Sequence, residues 1–597
     1  MRTNDIFEYL YPYQNPKLIP FAKIDDNSAF EDIGFKAGSS SHFLTKMALH
    51  LSGFKNFENH LKENLEYILR TTNIRLPNIH SPVISATLSI LDDPNCNDSV
   101  SRAVKLILAV RQFYIDLKEG KIEQDRYGGD FLEMGLYANL FATNVVVQDK
   151  QAYLNKSSDF SKINIISNGK YYILDIGEIE KTIDQSALIN TISKIKKDSF
   201  KSFEDDETSP GLITAASTQT QFEAIKILLR DKNSFEEYNV LKNILFTICL
   251  DSEVFPKSNE ETVFYAHNKN HKNRWYYSSL QAVIFGNGKT ALICNFAAYL
   301  DGNIMMRSAS EIYKRSILNY PFSEKQEYSY RKLNLKFPIE LKSKILEDID
   351  SVSDNQQASF TINDVGVRCF KKFDLEPVPA FIIALQKTML DFTQKMVNVY
   401  QFITMSKYRY MTLLKENVST KTVFDCVSQL ENTEKTDDQK FELIRNAIDS
   451  QKDKLRKKRT RLSLDYIFKI YLCSISGIRK KYALAISQFF SLIQGRTKLF
   501  IEPSYDVMVS HPAIFEDVPI IGRSGAKLPY VKYMGLHYQI YDDKINITLM
   551  PSTEFSAPNK EFIAKLESNL KKLLEISENA INIGSHKFST KEANNHE

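Results

Sequence analysis

Three pairs of apolar arms, each folded about a short polar turn, constrain this chain more than any other feature, because such arms satisfy their backbone groups as antiparallel hairpins within a larger sheet. In INIISNGKYYILDI the arms flank Asn168-Gly169, residues that tolerate the positive φ of a tight turn. In YSSLQAVIFGNGKTALICNF the turn is Gly286-Asn287-Gly288, between residues 280–285 and 290–294, and in GLHYQIYDDKINITLM it is Asp542-Asp543. Helical patterns fill the intervals. SRAVKLILAVRQFYIDLKEG sets Val104, Ile107, Leu108, Val110 and Phe113 on one broad stripe and stops at Gly120. Thr436-Asp437-Asp438-Gln439 is a capping-box pattern opening FELIRNAIDSQKDKL, and EFIAKLESNLKKLLEI is the last long helix. Residues 1 to about 75 read as mostly helical, helices are expected to dominate between about 340 and 494, and the polar residues after Ile583 read as a loose tail. The fold class is therefore α/β, with mixed β-sheets flanked by helices.

A chain of 597 residues exceeds what one core serves, so two or more packed lobes are expected. With 43% hydrophobic and 25% charged residues, neither a disordered nor a fibrous protein fits. The balance of 77 basic against 73 acidic residues gives no whole-molecule field to steer the chain onto nucleic acid or anionic lipid. Six cysteines with no CxxC pair and no metal-ligand spacing with histidine suggest a reducing compartment and no metal. The first residues carry Asp5 and Glu8 with no apolar core segment, and the longest apolar stretches, such as 381–385, fall far short of the roughly 20 residues that span a bilayer. The ending KEANNHE has no peroxisomal address. A cytoplasmic location is expected.

Two local motifs invite a phosphate. Gly288-Lys289-Thr290 ends like a phosphate loop, but position 283 is Val283 where that loop needs glycine, and 291–294 reads as strand, so a hairpin is expected. The run KDKLRKKRTR, residues 452–461, could meet the phosphates of a nucleic acid, a lipid or a nucleotide; lacking interleaved aromatics, it reads more simply as a solvated helix face, and no nucleic-acid partner is expected.

The segment NRWYYSSLQAVIFGNGKTALICNFAAYLDGNIMM, residues 273–306, resembles the central stretch of the carnitine/choline O-acyltransferases. There Asn-Arg-Trp precedes a strand with Leu-Gln, a Gly turn, a second strand and a Glu-His segment ending in Asp-Gly or Glu-Gly. YGGDFLEMGLYANLF, NIISNGKYYILDI, LLRDKNSFEEYNVLKNILFTICLD, PVPAFIIALQ, DQKFELIRNAI and GLHYQIYDDKINITL each resemble a family segment in the same order. The resemblance implies two similar lobes with a tunnel between them, CoA entering from one side and the acyl acceptor from the other. The expected division is an N-terminal helical segment at 1–75 packing on the C-terminal lobe, an N-terminal lobe at 76–336, a C-terminal lobe at 337–583 and the tail at 584–597.

Acyl transfer to a hydroxyl needs a proton acceptor, an orienting partner for it and donors for the oxyanion. By the resemblance the acceptor is one histidine, and its place here falls on Phe296 or Ala297, neither of which can take a proton. Asp301 keeps the acidic position that orients the histidine in some relatives; without the imidazole, its simpler role is a helix cap. Near the oxyanion the Ser-Thr-Ser segment is reduced to Ser510, with His511 beside it as a substitute base or a plain loop residue. The Tyr, Thr and Arg that hold carnitine's carboxylate fall on Tyr400, Leu413 and Tyr466, so only the tyrosine is left and carnitine is disfavoured as acceptor. For the CoA 3′-phosphate the resemblance offers Arg368, Lys371 and Lys372, while Val367 and Val378 stand where the family has lysine and aspartate. The expected function is a catalytically impaired member, a pseudoenzyme, that retains CoA or acyl-CoA as ligand and works through a small molecule or a protein partner. The alternative is an active CoA-dependent acyltransferase with an altered base and a non-carnitine acceptor.

Overall fold

The computed structural model describes residues 85–593, except for stretches of which the longest are 202–208, nearly all of 464–504, and 524–530; before residue 85 it describes only Ile24 and Asp25, which pair in parallel with Leu462 and Ser463. The expected helices of residues 1–75 and the acceptor position Tyr466 lie outside the described residues.

In the first half, β1 (Ser85–Ile90) leads into α1 (Ser99–Lys118), whose stripe of Val104, Ile107, Leu108, Val110 and Phe113 is buried as its spacing demands. Asp98 caps it by accepting from the Val100 and Ser101 amides. A two-residue hairpin follows, β2 (Arg126–Tyr127) and β3 (Asp130–Phe131). After an antiparallel pair at Thr143–Gln148 and Gln151–Lys156 comes the hairpin β4 (Lys162–Ser167) and β5 (Lys170–Asp175), turned by Asn168 at φ 49° and Gly169 at φ 74°, a conformation that glycine adopts without steric cost. Strand β6 (Thr247–Asp251) runs parallel to β4 and to β7 (Leu280–Phe285), and β7 folds back onto β8 (Thr290–Asn295) across the Gly286-Asn287-Gly288 turn. The expected hairpin is therefore present where the phosphate-loop pattern failed: Lys289 reaches Asp92 at 2.7 Å. Helix α2 (Gly302–Ser316) follows β8, and β9 (Tyr330–Lys332) adds to the sheet beside β5.

In the second half, β10 (Ala358–Asn363) precedes the short α3 (Val367–Lys372) and the apolar α4 (Pro377–Thr393), then the antiparallel pair β11 (Val399–Thr404) and β12 (Leu413–Asn417). Three strands thus interrupt the stretch expected to be helical from 340. They escape a periodicity reading because β10 buries little beyond Ile362, and because β11 and β12 carry cleft-facing Gln401 and Lys415 among their apolar residues. Helix α5 (Asp437–Lys458) begins with the full capping box, Thr436 bonding the Gln439 amide and the Gln439 side chain returning to the Thr436 amide. Strand β13 (Tyr505–Ser510) runs parallel to β11 and to β15, β14 (Ile520–Arg523) comes next, and β15 (Val531–Ile540) with β16 (Lys544–Pro551) makes the third expected hairpin. Helix α6 spans Asn559–Ala593, which corrects the loose tail expected from residue 584: its backbone is helical well beyond Ile583.

The strands make two large mixed sheets. One has eight strands in the order β9-β5-β4-β6-β7-β8-β1-β14, the other six in the order β10-β16-β15-β13-β11-β12. Strand β14 belongs by chain order to the second half but pairs antiparallel with β1, so one strand crosses from the C-terminal lobe into the N-terminal sheet. Each sheet has its own core. In the first, α1 covers one face, while Trp275 packs on Tyr171, Tyr238 and Tyr277 against the other. In the second, α4 and α6 cover one face, with Phe381 stacked on Tyr538 at 4.1 Å.

Candidate functional site

Between the lobes lies a cleft of about 1550 Å³, walled on one side by the β2–β3 hairpin, the segment after β8 and the start of α2, and on the other by α5, β11, β12 and the end of β13. Polar bonds hold its walls together. The Glu133 amide donates to Ser406 O at 2.6 Å, Lys407 lies 3.6 Å from Asp130, and the Arg459 guanidinium sits 4.7 Å over the Tyr127 ring.

The wall at the end of β8 carries the two positions where the resemblance places an imidazole. β8 ends at Asn295, and the next residues form a single 3₁₀ turn, Phe296–Ala298, in which the Ala297 amide donates to Asn295 Oδ1. Phe296 packs on the N-terminal core with its ring on the cleft wall, and Leu300 lines the cleft nearby. Neither expected position of the imidazole carries a proton acceptor.

Asp301 is fully engaged. Its Oδ1 accepts from the Ile304 amide at 2.9 Å, capping α2, and its Oδ2 accepts from the Ser406 hydroxyl at 3.1 Å. Burial pushes its carboxyl up, those hydrogen bonds pull it back, and the neighbouring Asp125 raises it again. Of the two roles open to Asp301, the structure supplies the cap. Behind it Tyr137 donates to Asp125, and Arg307 joins Glu311 at 2.9 Å; burial raises Asp125 as well, against the Tyr137 bond.

His511 also lines the cleft. The Ala513 amide donates to Asn303 Oδ1 at 2.9 Å, and a Cβ added to Gly302 would stand 3.4 Å from Pro512 Cβ. The segment after β13 is thus fastened to the first turn of α2. The His511 ring packs against Tyr538 at 5.0 Å, and burial drives its imidazole down to about 4, so it is neutral at physiological pH. Ser510 also lines the cleft.

The basic residues divide differently from expectation. Of the three assigned to CoA, Arg368 lies 3.8 Å from Asp542 and Lys372 2.8 Å from Glu578, both well exposed. Lys371 alone borders a hollow, a side pocket of about 310 Å³ shared with Arg445 and Lys452 that meets the main cleft at Glu376 and Lys452. The cleft wall itself carries Lys452, Arg456 and Arg459, spaced i, i+4 and i+7 at the end of α5, with Lys407 and Lys415. In the sequence these residues look like a solvated run, and their spacing on one helical face is the signal that sets them together.

On the acceptor side, Tyr400 is buried, edge to face on Tyr505 at 4.7 Å, and it is Tyr505, Phe402 and Met508 that line the cleft beside it. Val378, in place of the family aspartate, also lines the cleft, whereas Val367 packs on the C-terminal core. The side chain at Leu413 lies outside the described residues.

Two lobes, each a mixed sheet with helices, closing on a shared cleft define the class. The profile of the Choline/Carnitine O-acyltransferase family matches residues 75–568, and the chain belongs to that family. It is 22% identical over 445 residues to the choline O-acetyltransferase of Danio rerio, covering 69% of this chain and 68% of that one. To the carnitine O-acetyltransferase of Homo sapiens it is 22% identical over 385 residues, 59% of this chain and 58% of the relative, so it spans less than two thirds of the latter's length. Among solved structures, the wax ester synthase/diacylglycerol acyltransferase from Marinobacter aquaeolei VT8 matches 86% of this chain and 98% of its own at 10% identity, but with a TM-score of 0.32 it carries no argument. None of the described helices is long and apolar enough to cross a membrane.

Proposed function

We propose that the cleft between the lobes is an acyl-CoA site whose transfer chemistry is impaired because Phe296 and Ala297 stand where the family's imidazole is expected. The observation that carries this reading is the lining of the cleft, which combines an aromatic residue, Phe296, where proton removal is expected, with the cations Lys452, Arg456 and Arg459. Loss of a general base slows such a reaction about a hundred- to ten-thousand-fold. Binding need not suffer, because the diphosphate and 3′-phosphate of CoA are held by positive charge. Lys371 and Lys452 at the side pocket suit the nucleotide end, and Arg456 and Arg459 the approach to the cleft. Carnitine is not the acceptor in this reading, since Tyr400 is the single survivor of the carboxylate clamp and lies beneath Tyr505. A cytoplasmic location belongs to the same reading, as does a protein partner served by ligand binding.

A second reading, an active acyltransferase with an altered base and a different acceptor, is favoured by one observation: the neutral imidazole of His511 on the cleft wall. Titration calorimetry with CoA tests what the two share. Wild-type protein is expected to bind, Lys371→Ala and Arg459→Ala to bind several-fold more weakly, and absence of binding by wild type sinks both.

A further inference from the structure

We infer that His511 is the proton acceptor of this cleft, brought to the first turn of α2 by the second lobe in place of the imidazole that Phe296 has displaced. The inference rests on the cleft being an acyl-CoA site.

Position comes first. The Ala513–Asn303 bond fixes the loop against the residues that directly follow Asp301, and a Cβ added at Gly302 would just touch Pro512. His511 lines the same cleft as Phe296 and Asp301. A base need not come from a particular strand; it must come within hydrogen-bond reach of the reacting hydroxyl.

Availability comes second. Four histidines have described side chains. His267 meets the Thr87 hydroxyl and His271 the Tyr276 hydroxyl, both within the N-terminal lobe. His537 also borders the cleft, but in the middle of β15 it is only 4% exposed. His511 packs its face on Tyr538, stands on the cleft wall and is neutral, so a ring nitrogen can accept a proton. The nearby carboxylates are committed: both Asp301 oxygens accept hydrogen bonds, and Asp125 accepts from Tyr137.

The chemistry balances with two co-reactants, an acyl thioester and an alcohol or water. The hydroxyl proton passes to His511 as the oxygen attacks the thioester carbonyl. Collapse of the tetrahedral adduct breaks the C–S bond, and the leaving thiolate takes the proton back from the imidazolium. The products are an ester, or a carboxylic acid when water attacks, and the free CoA thiol. A ring held so far below neutrality is a weak base, so turnover is slow.

The test uses the full chain with acetyl-CoA and decanoyl-CoA, each with carnitine, with choline and with water alone, reading thiol release. Wild type should release thiol slowly, and His511→Asn and His511→Gln should each be slower by about tenfold or more. Their CoA affinity by calorimetry should stay within about twofold of wild type, which separates chemistry from folding and binding. Unchanged release in both variants overturns the inference, and so does a wild type that binds CoA and releases no thiol. A wild type that fails to bind CoA overturns the reading of the cleft itself.

Discussion

Asn273, Arg274 and Trp275 were the most informative residues for family membership, yet the structure gives them no place in the cleft. Arg274 is buried and forms a two-pronged ion pair with Asp251, Nη2 to Oδ2 at 2.8 Å and Nη1 to Oδ1 at 3.1 Å, while its Nε donates to Ala266 O. Asn273 donates to Leu250 O and accepts from the Gly169 amide, joining β6 to the β4–β5 turn. The motif is a clasp of the N-terminal sheet, and it can persist after the reaction site has changed. Removing the cation leaves Asp251 buried without its counter-charge, so Arg274→Ala should lose about 3–5 kcal/mol in urea unfolding. A second prediction concerns proton linkage. The His511 pKa of about 4 in the fold lies below its ordinary 6.5, so the unfolded chain binds more protons between those values. The stability this ring contributes is complete above pH 6.5, falls as pH drops toward 4, and changes no further below. Asp125 and Asp301, raised by burial, act in the opposite sense, so the comparison must be with His511→Asn. Allowing for partial exposure, wild type should lose about 2 kcal/mol more than that variant between pH 7 and pH 4.

At the level of single elements, what the sequence made legible was whatever chain-local chemistry decides. The three hairpins, the α1 stripe and the α5 capping box each follow from turn residues or spacing and stand where expected. What stayed illegible depends on partners remote in sequence. β10 is a strand because β16 offers it an edge, and α6 continues past Ile583 although its last residues are polar. The candidate site divides in the same way. Phe296 and Ala297 at the expected place of the imidazole and the capping role of Asp301 could be read from one segment. The cations of α5 reach the cleft only because α5 packs across from the N-terminal lobe, and no pattern within residues 367–372 announces that Arg368 and Lys372 turn outward to Asp542 and Glu578. Because Asp301 works as a cap, Asp301→Asn, which can still accept from the Ile304 amide, should change the melting temperature little. Asp301→Ala should cost about 1–2 kcal/mol, and both variants should bind CoA as wild type does. An acid whose role was to orient a base would instead show loss of thiol release in the Asn variant at unchanged stability.

For the whole molecule, the strand that crosses between lobes decides how rigid the cleft can be. β14 pairs with β1 through Ile520, Ile521, Gly522 and Arg523, while the Leu91 amide bonds Asp517 O and the Ser310 hydroxyl bonds Asp517 Oδ2 just before it. On its other side Asn546 of β16 donates to Pro519 O, so this one segment bonds to both sheets. His511 and its loop lie between β13 and this crossing, which means that the ring's position against α2 is set by how firmly β14 is seated. Seating requires a bare backbone at Gly522, where an added Cβ would stand 2.1 Å from Val263 Cγ1 and 3.1 Å from Gln357 Nε2. Val263 is buried at 1% exposure, so it has little room to yield. Gly522→Ala should therefore cost about 1–3 kcal/mol by overpacking. The cost should fall on the contact between lobes rather than on either core, since the clash lies where β14 meets the N-terminal lobe. The expected result is a lowered urea midpoint, faster amide exchange along β14 and β1, and weaker CoA binding. A lowered midpoint with exchange at β14 unchanged would mean that the strand is held by its ladder bonds alone and does not govern the cleft.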